Sequence, residues 1–362
     1  MNDPTDRRAK NKSALVNAGF TVAPQDTLRS ANERIAQNGR DLVVVIGRDQ
    51  EILGTLTDGA IRRAVLAGTG LDATVDQVMA AQPLTVSHRT AKKEVLTLLQ
   101  AHRVRSVPVA TSGSLVGIRS LDELGLRVAG APIAVVMVGG AGERLRPLTD
   151  KVPKPLLKIG GSSIVERLIE GIARAGVREV YLTLNYKADM FEERLGTGEQ
   201  LGVALHYVRE RTAMGTAGAL SLLPRVEGPI LVVNGDLVTT ADFRSLLDFH
   251  WHHEGSITVA GVEHLSPIPY GILSVVQHHV LAIEEKPHRR DLVAAGIYVL
   301  DPAVIRFVPV GVASGMPELI GRAVTEGLPV HVFPLLEEWF DIGSPEDFER
   351  VLMHFAVADG EI

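Results

Sequence analysis

The chain has 362 residues, 46% apolar and 22% charged, a balance that suits a globular protein of two or three domains. Its formal net charge of −6 argues against a dedicated nucleic-acid binder, which usually presents a basic face. With no cysteine it can form no disulfide scaffold, no zinc–thiolate centre and no cysteine nucleophile. The opening residues, MNDPTDRRAKNKSALV, carry charges but no apolar stretch, so no secretory leader is expected. The longest apolar run, Ile133 to Val138, is far shorter than a membrane span. Neither a membrane nor nucleic acid is therefore expected as a partner, and the expected compartment is the cytoplasm.

Residues from about 20 to 125 read as two copies of one unit. Thr21-Val22 recurs as Thr85-Val86 and Gly54 as Gly117, at an offset of about 64 residues, the mark of a duplicated supersecondary unit. Each copy predicts a short strand, an amphipathic helix, two strands joined by a turn, and a second helix. Leu28, Ala31 and Ile35 fall at helical spacing in the first copy, as do Val95, Leu98 and Leu99 in the second. The Val107-Pro108-Val109 run and the Gly-x-x-Thr/Ser-x-x-acid turn resemble a tandem pair of CBS domains, placed at residues 1–127 with copies near 14–75 and 76–127. The resemblance implies an α+β module, homo-oligomerisation through it, and an adenine or guanine nucleotide whose ribose is held by the acid of that turn. The first copy departs from the pattern, with Gly54 and Thr57 followed by Ala60 at the acid position. The second has Gly117, Ser120 and Glu123. A packing module without a ligand is the alternative reading.

Arg127 to Pro132 reads as a short linker of small residues and a proline, which favour extended chain. From 132 to 362 strands and helices alternate. The β-branched run Ile133 to Val138 predicts a strand buried on both faces. Ser163 and Glu166 stand at capping-box spacing and Gly176 follows as a stop, so a helix is predicted from Ser163 to Ala175. Further strands are predicted at 179–184, 230–234, 256–261, 271–276, 280–285 and 296–300. This α/β alternation predicts a mostly parallel sheet with helices on both faces, and a ligand crevice at the carboxyl ends of its strands.

The loop after the first of these strands runs Val138-Gly139-Gly140-Ala141-Gly142-Glu143-Arg144-Leu145-Arg146-Pro147-Leu148-Thr149. Glycines let backbone N–H groups approach phosphate oxygens without interference from a Cβ. Arg144 adds a delocalised charge suited to phosphate. Lys154 follows between Pro153 and Pro155, whose fixed φ angles place it stiffly. The loop is not a Walker A motif, since no Gly-Lys-Ser/Thr ends it, nor a dinucleotide fingerprint, since no acid closes the following strand.

Loop and Pro-Lys-Pro together resemble the sugar-1-phosphate nucleotidyltransferases, and the similarity runs from about residue 132 to 355. It implies a Rossmann-like domain with a mixed, mostly parallel sheet, joining an NTP to a sugar 1-phosphate and releasing pyrophosphate. It implies nucleotide contacts from Gly139, Gly140, Ala141, Gly142, Glu143 and Arg144, and from Met214, Gly215, Thr216 and Gly235. Asp236 and Asp341 would hold Mg²⁺, as hard oxygen ligands suit that ion. Tyr270, Gly271, Glu285, Lys286, Gly296 and Tyr298 would contact the sugar phosphate. Arg144, Lys154 and Lys286 would carry the catalytic charge. Ala294-Ala295-Gly296 stands where many relatives have Asn-Ala-Gly, which leaves the sugar open. CBS pairs ahead of such a domain resemble a bacterial branch that transfers guanylyl groups to amino-hexose, mannose or heptose phosphates for surface glycans. GTP is therefore the expected nucleotide, with UTP, dTTP, CTP and a non-catalytic sensor as alternatives. No hexapeptide repeat is present, so an acyltransferase tail is not expected. His250, His252 and His253 read as surface or helix-terminal residues and His278-His279 as a strand turn, not as metal ligands.

Overall fold

The computed structural model describes residues 19–102, 104–111, 113–121, 130–140 and 142–358. The chain divides into two compact units, Met1–Ala129 and Gly130–Ile362. No helix among the described residues is long and apolar enough to cross a membrane.

The first unit contains β1 (Thr21–Val22), α1 (Leu28–Asn38), β2 (Leu42–Ile46), β3 (Ile52–Thr57), α2 (Asp58–Leu66), α3 (Lys92–Ala101), β4 (Ser106–Thr111) and β5 (Ser114–Ser120). The sequence repeat is a structural repeat. β1 pairs parallel with β2, which pairs antiparallel with β3; in the second copy Val86 bridges Val109 in parallel and β4 pairs antiparallel with β5. The helical spacing holds, since Leu28, Ala31 and Ile35 are buried on α1 and Val95 and Leu99 on α3. Gly54 is required by a close approach, because a Cβ there would lie 2.7 Å from the carbonyl oxygen of Ala80. The N–H of Ala60 is capped by the Thr57 hydroxyl. The neighbouring Asp58 accepts from Arg62 Nε at 2.9 and 3.0 Å, and both side chains are buried. Glu123 and the last helix predicted for the second copy lie outside the described residues.

The second unit runs β6 (Ile133–Met137), β7 (Lys158–Ile159), β8 (Ser162–Ser163), α4 (Ile164–Arg174), β9 (Glu179–Leu184), α5 (Ala188–Leu195), β10 (Ala204–Arg209), a single turn α6 (Gly215–Gly218), β11 (Ile230–Asn234), β12 (Leu237–Thr239), α7 (Phe243–His252), β13 (Ile257–Pro267), β14 (Ile272–Val276), β15 (His279–Glu284), β16 (His288–Leu300), α8 (Met316–Thr325), β17 (Val330–Pro334), β18 (Trp339–Asp341) and α9 (Pro345–Ala358). Seven strands form one sheet in the order β10-β9-β6-β11-β16-β13-β17. The β10, β9, β6 and β11 block is parallel, β16 runs antiparallel to both β11 and β13, and β17 pairs parallel with β13.

Strand parity builds the two layers that cover this sheet. Ala134 and Val136 of β6 join one core with Ile164, Leu168 and Ile172 of α4. Ile133 and Val135 face the other way, into a core with Ala217, Val304, Met316 and Leu319. The predicted capping box is present, with Ser163 and Glu166 satisfying each other's backbone N–H groups, and Gly176 stops the helix at φ +92°. Strands β10 and β17, which the sequence reading did not predict, form the two edges of the sheet.

His250 is helix-terminal, as expected, but it does not reach the surface. It lies in the last turn of α7 but is only 6% exposed, with Nδ1 2.9 Å from Thr258 Oγ1. Burial pushes its pKa from 6.5 down to about 4; the nearby Asp301 carboxylate opposes that shift and His331 adds to it. The folded protein therefore holds fewer protons than the unfolded chain between these two values. Stability is lost as pH falls from about 6.5 towards 4, by up to about 3 kcal/mol from this one group. A melting-temperature series over that range is expected to be shallower for His250→Gln than for the unmodified protein. Parallel curves would remove the assignment.

Candidate functional site

The carboxyl ends of β6, β9, β10 and β11 all open on one edge of the sheet, as the parallel block dictates, and the chain leaves each strand through a residue able to face a ligand there. After β6 comes the glycine loop. Gly142 adopts φ +62°, and a Cβ there would sit 3.1 Å from both Lys154 Cβ and Thr149 Cγ2. Thr149 closes the turn by donating to the Gly142 carbonyl at 2.8 Å. The loop thus packs directly on Lys154. Ala141 lies outside the described residues.

Lys154 stands in a short 3-10 turn, Lys154–Leu156, entered from Pro153. Its side chain is buried and donates to Asp236 Oδ2 at 2.6 Å, while Asp341 Oδ1 lies 4.0 Å away. Asp236 arrives from the end of β11, where Gly235 N–H donates to the Met137 carbonyl and leaves no room for a side chain: a Cβ would meet Val138 Cγ1 at 2.3 Å. Asp341 arrives from more than a hundred residues later. The β12–β18 ladder sets Asp341 opposite Leu237, one residue beyond Asp236, and so brings the two carboxylates to the same amine. The electrostatics record this crowding. The Asp341 pKa is raised by burial first and by Asp236 second, with Lys154 and Arg144 opposing. Arg144 itself is exposed on the loop, and the Glu143 carboxylate points at Arg146, 3.9 Å away.

A second group lies at the ends of β6, β9 and β10. Glu210, half-buried just past β10, accepts the Met214 N–H through Oε2 at 2.9 Å, and its Oε1 would lie 3.4 Å from a Cβ on Gly139. Asn185, just past β9, would meet the same Cβ at 3.3 Å. The turn Met214–Gly218 is fixed from the other side by Ser314. The Ser314 carbonyl accepts from Ala217 and Gly218, the Ser314 N–H donates to the Met214 carbonyl, and Gly215 at φ +71° leaves space for that oxygen. The Thr216 hydroxyl is engaged as well, accepting the Met316 N–H at 2.8 Å. Glu210 and Ser314 were not legible as site residues. Glu210 belongs to no motif, and Ser314 holds the Met214–Gly218 turn through its backbone.

The sugar-site candidates are divided. Tyr270, Gly271, Glu285 and Lys286 meet at the foot of the β14–β15 hairpin, where the Lys286 N–H donates to the Tyr270 carbonyl and Glu285 Oε2 would lie 3.0 Å from a Cβ on Gly271. Gly296, at φ +71°, faces Asn234, whose Nδ2 would lie 2.6 Å from a Cβ there; Asn234 Oδ1 is buried without a hydrogen-bond partner among the described residues. Tyr298 departs from its expected role as a sugar contact. Two residues deeper along β16 than Gly296, it pairs with Val232 and is buried in the core with Ile133 and Val135, where desolvation raises its pKa.

Among the described residues no group of three or more His, Asp or Glu side chains is arranged to hold a metal ion unaided. The Asp236–Asp341 pair is an incomplete oxygen set beside an amine, at the mouth of a glycine turn. That is an arrangement for gathering phosphates. Among known protein families, the one described as Nucleotidyl transferase matches residues 133–357. The chain belongs to that family. A CBS domain matches residues 75–123. Among curated relatives, the mannose-1-phosphate guanyltransferase of Aspergillus fumigatus is 34% identical over 227 residues, covering 59% of this chain and 62% of that protein. The mannose-1-phosphate guanylyltransferase of Mycobacterium tuberculosis is 34% identical over 227 residues, covering 60% and 62%. The chain therefore spans about three-fifths of the length of these relatives. Among solved structures, HddC from Yersinia pseudotuberculosis is similar over 62% of this chain and 99% of its own, at 26% identity and a TM-score of 0.50.

Proposed function

We propose that the second unit transfers a guanylyl group from GTP to a sugar 1-phosphate of mannose, amino-hexose or heptose type, releasing pyrophosphate, in the cytoplasm and for the assembly of surface glycans. Family membership and the names of the curated relatives support this reading. The observation that carries it is Lys154 Nζ, 2.6 Å from Asp236 and 4.0 Å from Asp341, under the Gly142 turn.

An oxygen of the sugar phosphate attacks the α-phosphorus of the nucleotide, the bond to the bridging oxygen breaks, and pyrophosphate leaves. No general base is needed, because a phosphate monoester is already anionic at neutral pH. The demand on the protein is positioning and charge neutralisation. Arg144 neutralises the triphosphate on the glycine loop, Lys154 stabilises charge as it builds on the α-phosphate, and Lys286 orients the attacking phosphate. Asp236 and Asp341 fit a divalent cation such as Mg²⁺, since each raises a hard oxygen donor towards the same point and their mutual repulsion is the kind a cation relieves. Such an ion, when bound, neutralises phosphate charge. Any adenine or guanine nucleotide taken up by the first unit is assigned to its second copy. In the first copy Ala60 has replaced the acid and Asp58 is committed to Arg62.

Glu210 supports guanine in particular. A carboxylate only accepts hydrogen bonds, and guanine presents two adjacent donors, N1–H and the N2 amino group, on its pairing edge. Uracil and thymine offer one donor between two acceptors, which a carboxylate repels. Glu210→Gln is expected to reduce the preference for GTP over UTP by about 10- to 100-fold, the scale of one well-placed bidentate contact. An unchanged ratio of kcat/KM values would rule Glu210 out as the reader of the base. The reaction itself is tested by pyrophosphate release from GTP, UTP, dTTP and CTP against mannose, glucose, glucosamine and heptose 1-phosphates with Mg²⁺. GTP is expected to give the fastest release. No release from any pair would defeat the proposal.

A further inference from the structure

Of the three groups that meet under the glycine turn, Asp341 is the least restrained. Lys154 and Asp236 share a hydrogen bond of 2.6 Å, whereas Asp341 Oδ1 lies 4.0 Å from the same amine and its side chain is 57% exposed. Among the described residues no hydrogen bond holds the Asp341 carboxylate. Its position is therefore set through the main chain.

Three anchors set that main chain. Before the acid, the β12–β18 ladder pairs Asp341 with Leu237. After it, Ile342 is fully buried in the core shared with α4. The third anchor is Asp347, in the first turn of α9. Its Oδ2 accepts from the Gly343 N–H at 3.2 Å, the Ser344 N–H at 3.0 Å and the Ser344 hydroxyl at 2.9 Å. The Ser344 hydroxyl accepts the Asp347 N–H at 3.2 Å in return, which makes a capping box.

A helix cap alone does not need all of these bonds. α4 carries the same reciprocal device, and there the hydrogen bonds of Glu166 stop at Ser163, the capping residue itself. Asp347, one methylene shorter, reaches one residue further back, to Gly343. The Gly343 N–H also donates to the Asp341 carbonyl at 3.0 Å, so one N–H ties Asp347 to the peptide that carries Asp341. The Asp347 charge is felt there too: burial first, then Asp236 and Asp347, raise the Asp341 pKa. The other Asp347 oxygen faces Arg350 at 3.1 Å, an exposed pair that adds little.

We propose that Asp347 is a positioning residue for the transfer reaction: its carboxylate fixes the turn over 341–344 and so holds Asp341 towards the cation shared with Asp236. The inference rests on the nucleotidyl-transfer reading and on the fit of a divalent cation to the two acids.

Mn²⁺ alone, with no nucleotide, is the probe, and water-proton relaxation reports its uptake by the protein. Asp347→Ala is expected to weaken Mn²⁺ binding by about 10-fold, the lower end of what removing a group that orients a metal ligand costs. Its kcat is expected to fall while KM for GTP changes little. Asp347→Asn keeps an oxygen able to accept all three bonds, and is expected to bind Mn²⁺ nearly as tightly as the unmodified protein. Asp347→Glu covers the case in which the alanine variant does not fold. It can cap α9 as Glu166 caps α4, but its oxygen is placed for Ser344 rather than for Gly343. It is expected to melt with the unmodified protein and still to bind Mn²⁺ more weakly. Unchanged Mn²⁺ affinity in a folded alanine or glutamate variant would overturn the proposal, because a helix cap with no further role gives that result. So would an asparagine variant as weak as the alanine one. No Mn²⁺ uptake by the unmodified protein would remove the proposal together with the cation. If the alanine variant loses Mn²⁺ affinity but no substrate pair releases pyrophosphate, the reaction fails while the positioning of Asp341 stands.

Discussion

Lys154→Ala is expected to lower turnover by about 10²- to 10³-fold, the scale of removing one preorganised donor from a developing charge. The fold has little reason to fail. The Cβ that packs on Gly142 is retained, and Pro153 still sets the turn. What is lost is the amine that separates two carboxylates, and this gives the variant a signature beyond its rate. Lys154 holds the Asp341 pKa down, whereas burial and Asp236 push it up. Without the lysine that pKa rises further. If ionised Asp341 is the active form, the acid limb of the kcat/KM profile moves to higher pH, and activity at pH 6 falls by more than activity at pH 8. Steady-state kinetics across pH, with melting temperature as the folding control, check both statements. A folded variant within threefold of full turnover would exclude Lys154 from the chemistry.

Much of this arrangement can be read in the chain, and the exceptions have physical causes. The β-branched run of β6, the glycine loop, Pro-Lys-Pro and the capping box of α4 are local signals, and each depends on residues within a few positions of one another. β10 and β17 were missed because edge strands carry half-exposed, mixed residues, Ala204-Leu205-His206-Tyr207 and Val330-His331-Val332, with no continuous apolar run to announce them. β13 and β16 run further than predicted because they leave the sheet as a solvent-exposed ribbon, where Arg289, Arg290 and Asp291 carry no core signal. Tyr298 was misplaced for a different reason. Strand parity puts it on the same face as Gly296, but one pleat deeper, so the neighbour of a crevice residue is a core residue. Glu210, Asn234 and Ser314 were invisible because their roles depend on contacts across the fold. The approach of Asp341 to Asp236 likewise depends on the β12–β18 register, which no spacing encodes.

That long-range register makes Asp236→Asn the most informative companion experiment. The substitution preserves shape but removes one of two charges, and turnover is expected to fall by about 10²- to 10³-fold, as for other losses of a fixed charge beside a transferring phosphate. The pH signature has the opposite sign to that of Lys154→Ala. Asp236 is one of the groups raising the Asp341 pKa. With an amide in its place the Asp341 carboxyl ionises at lower pH, and the acid limb of kcat/KM moves down rather than up. The Mg²⁺ concentration needed for half-maximal rate should rise at the same time, because one hard anionic donor is gone. Asp341 can also be followed directly, by the carboxyl chemical shift of labelled protein in the absence of nucleotide, so the electrostatic claim does not depend on activity. Equal displacement of the two variants in the same direction would show that Asp236, Lys154 and Asp341 do not share one electrostatic site, whatever their distances.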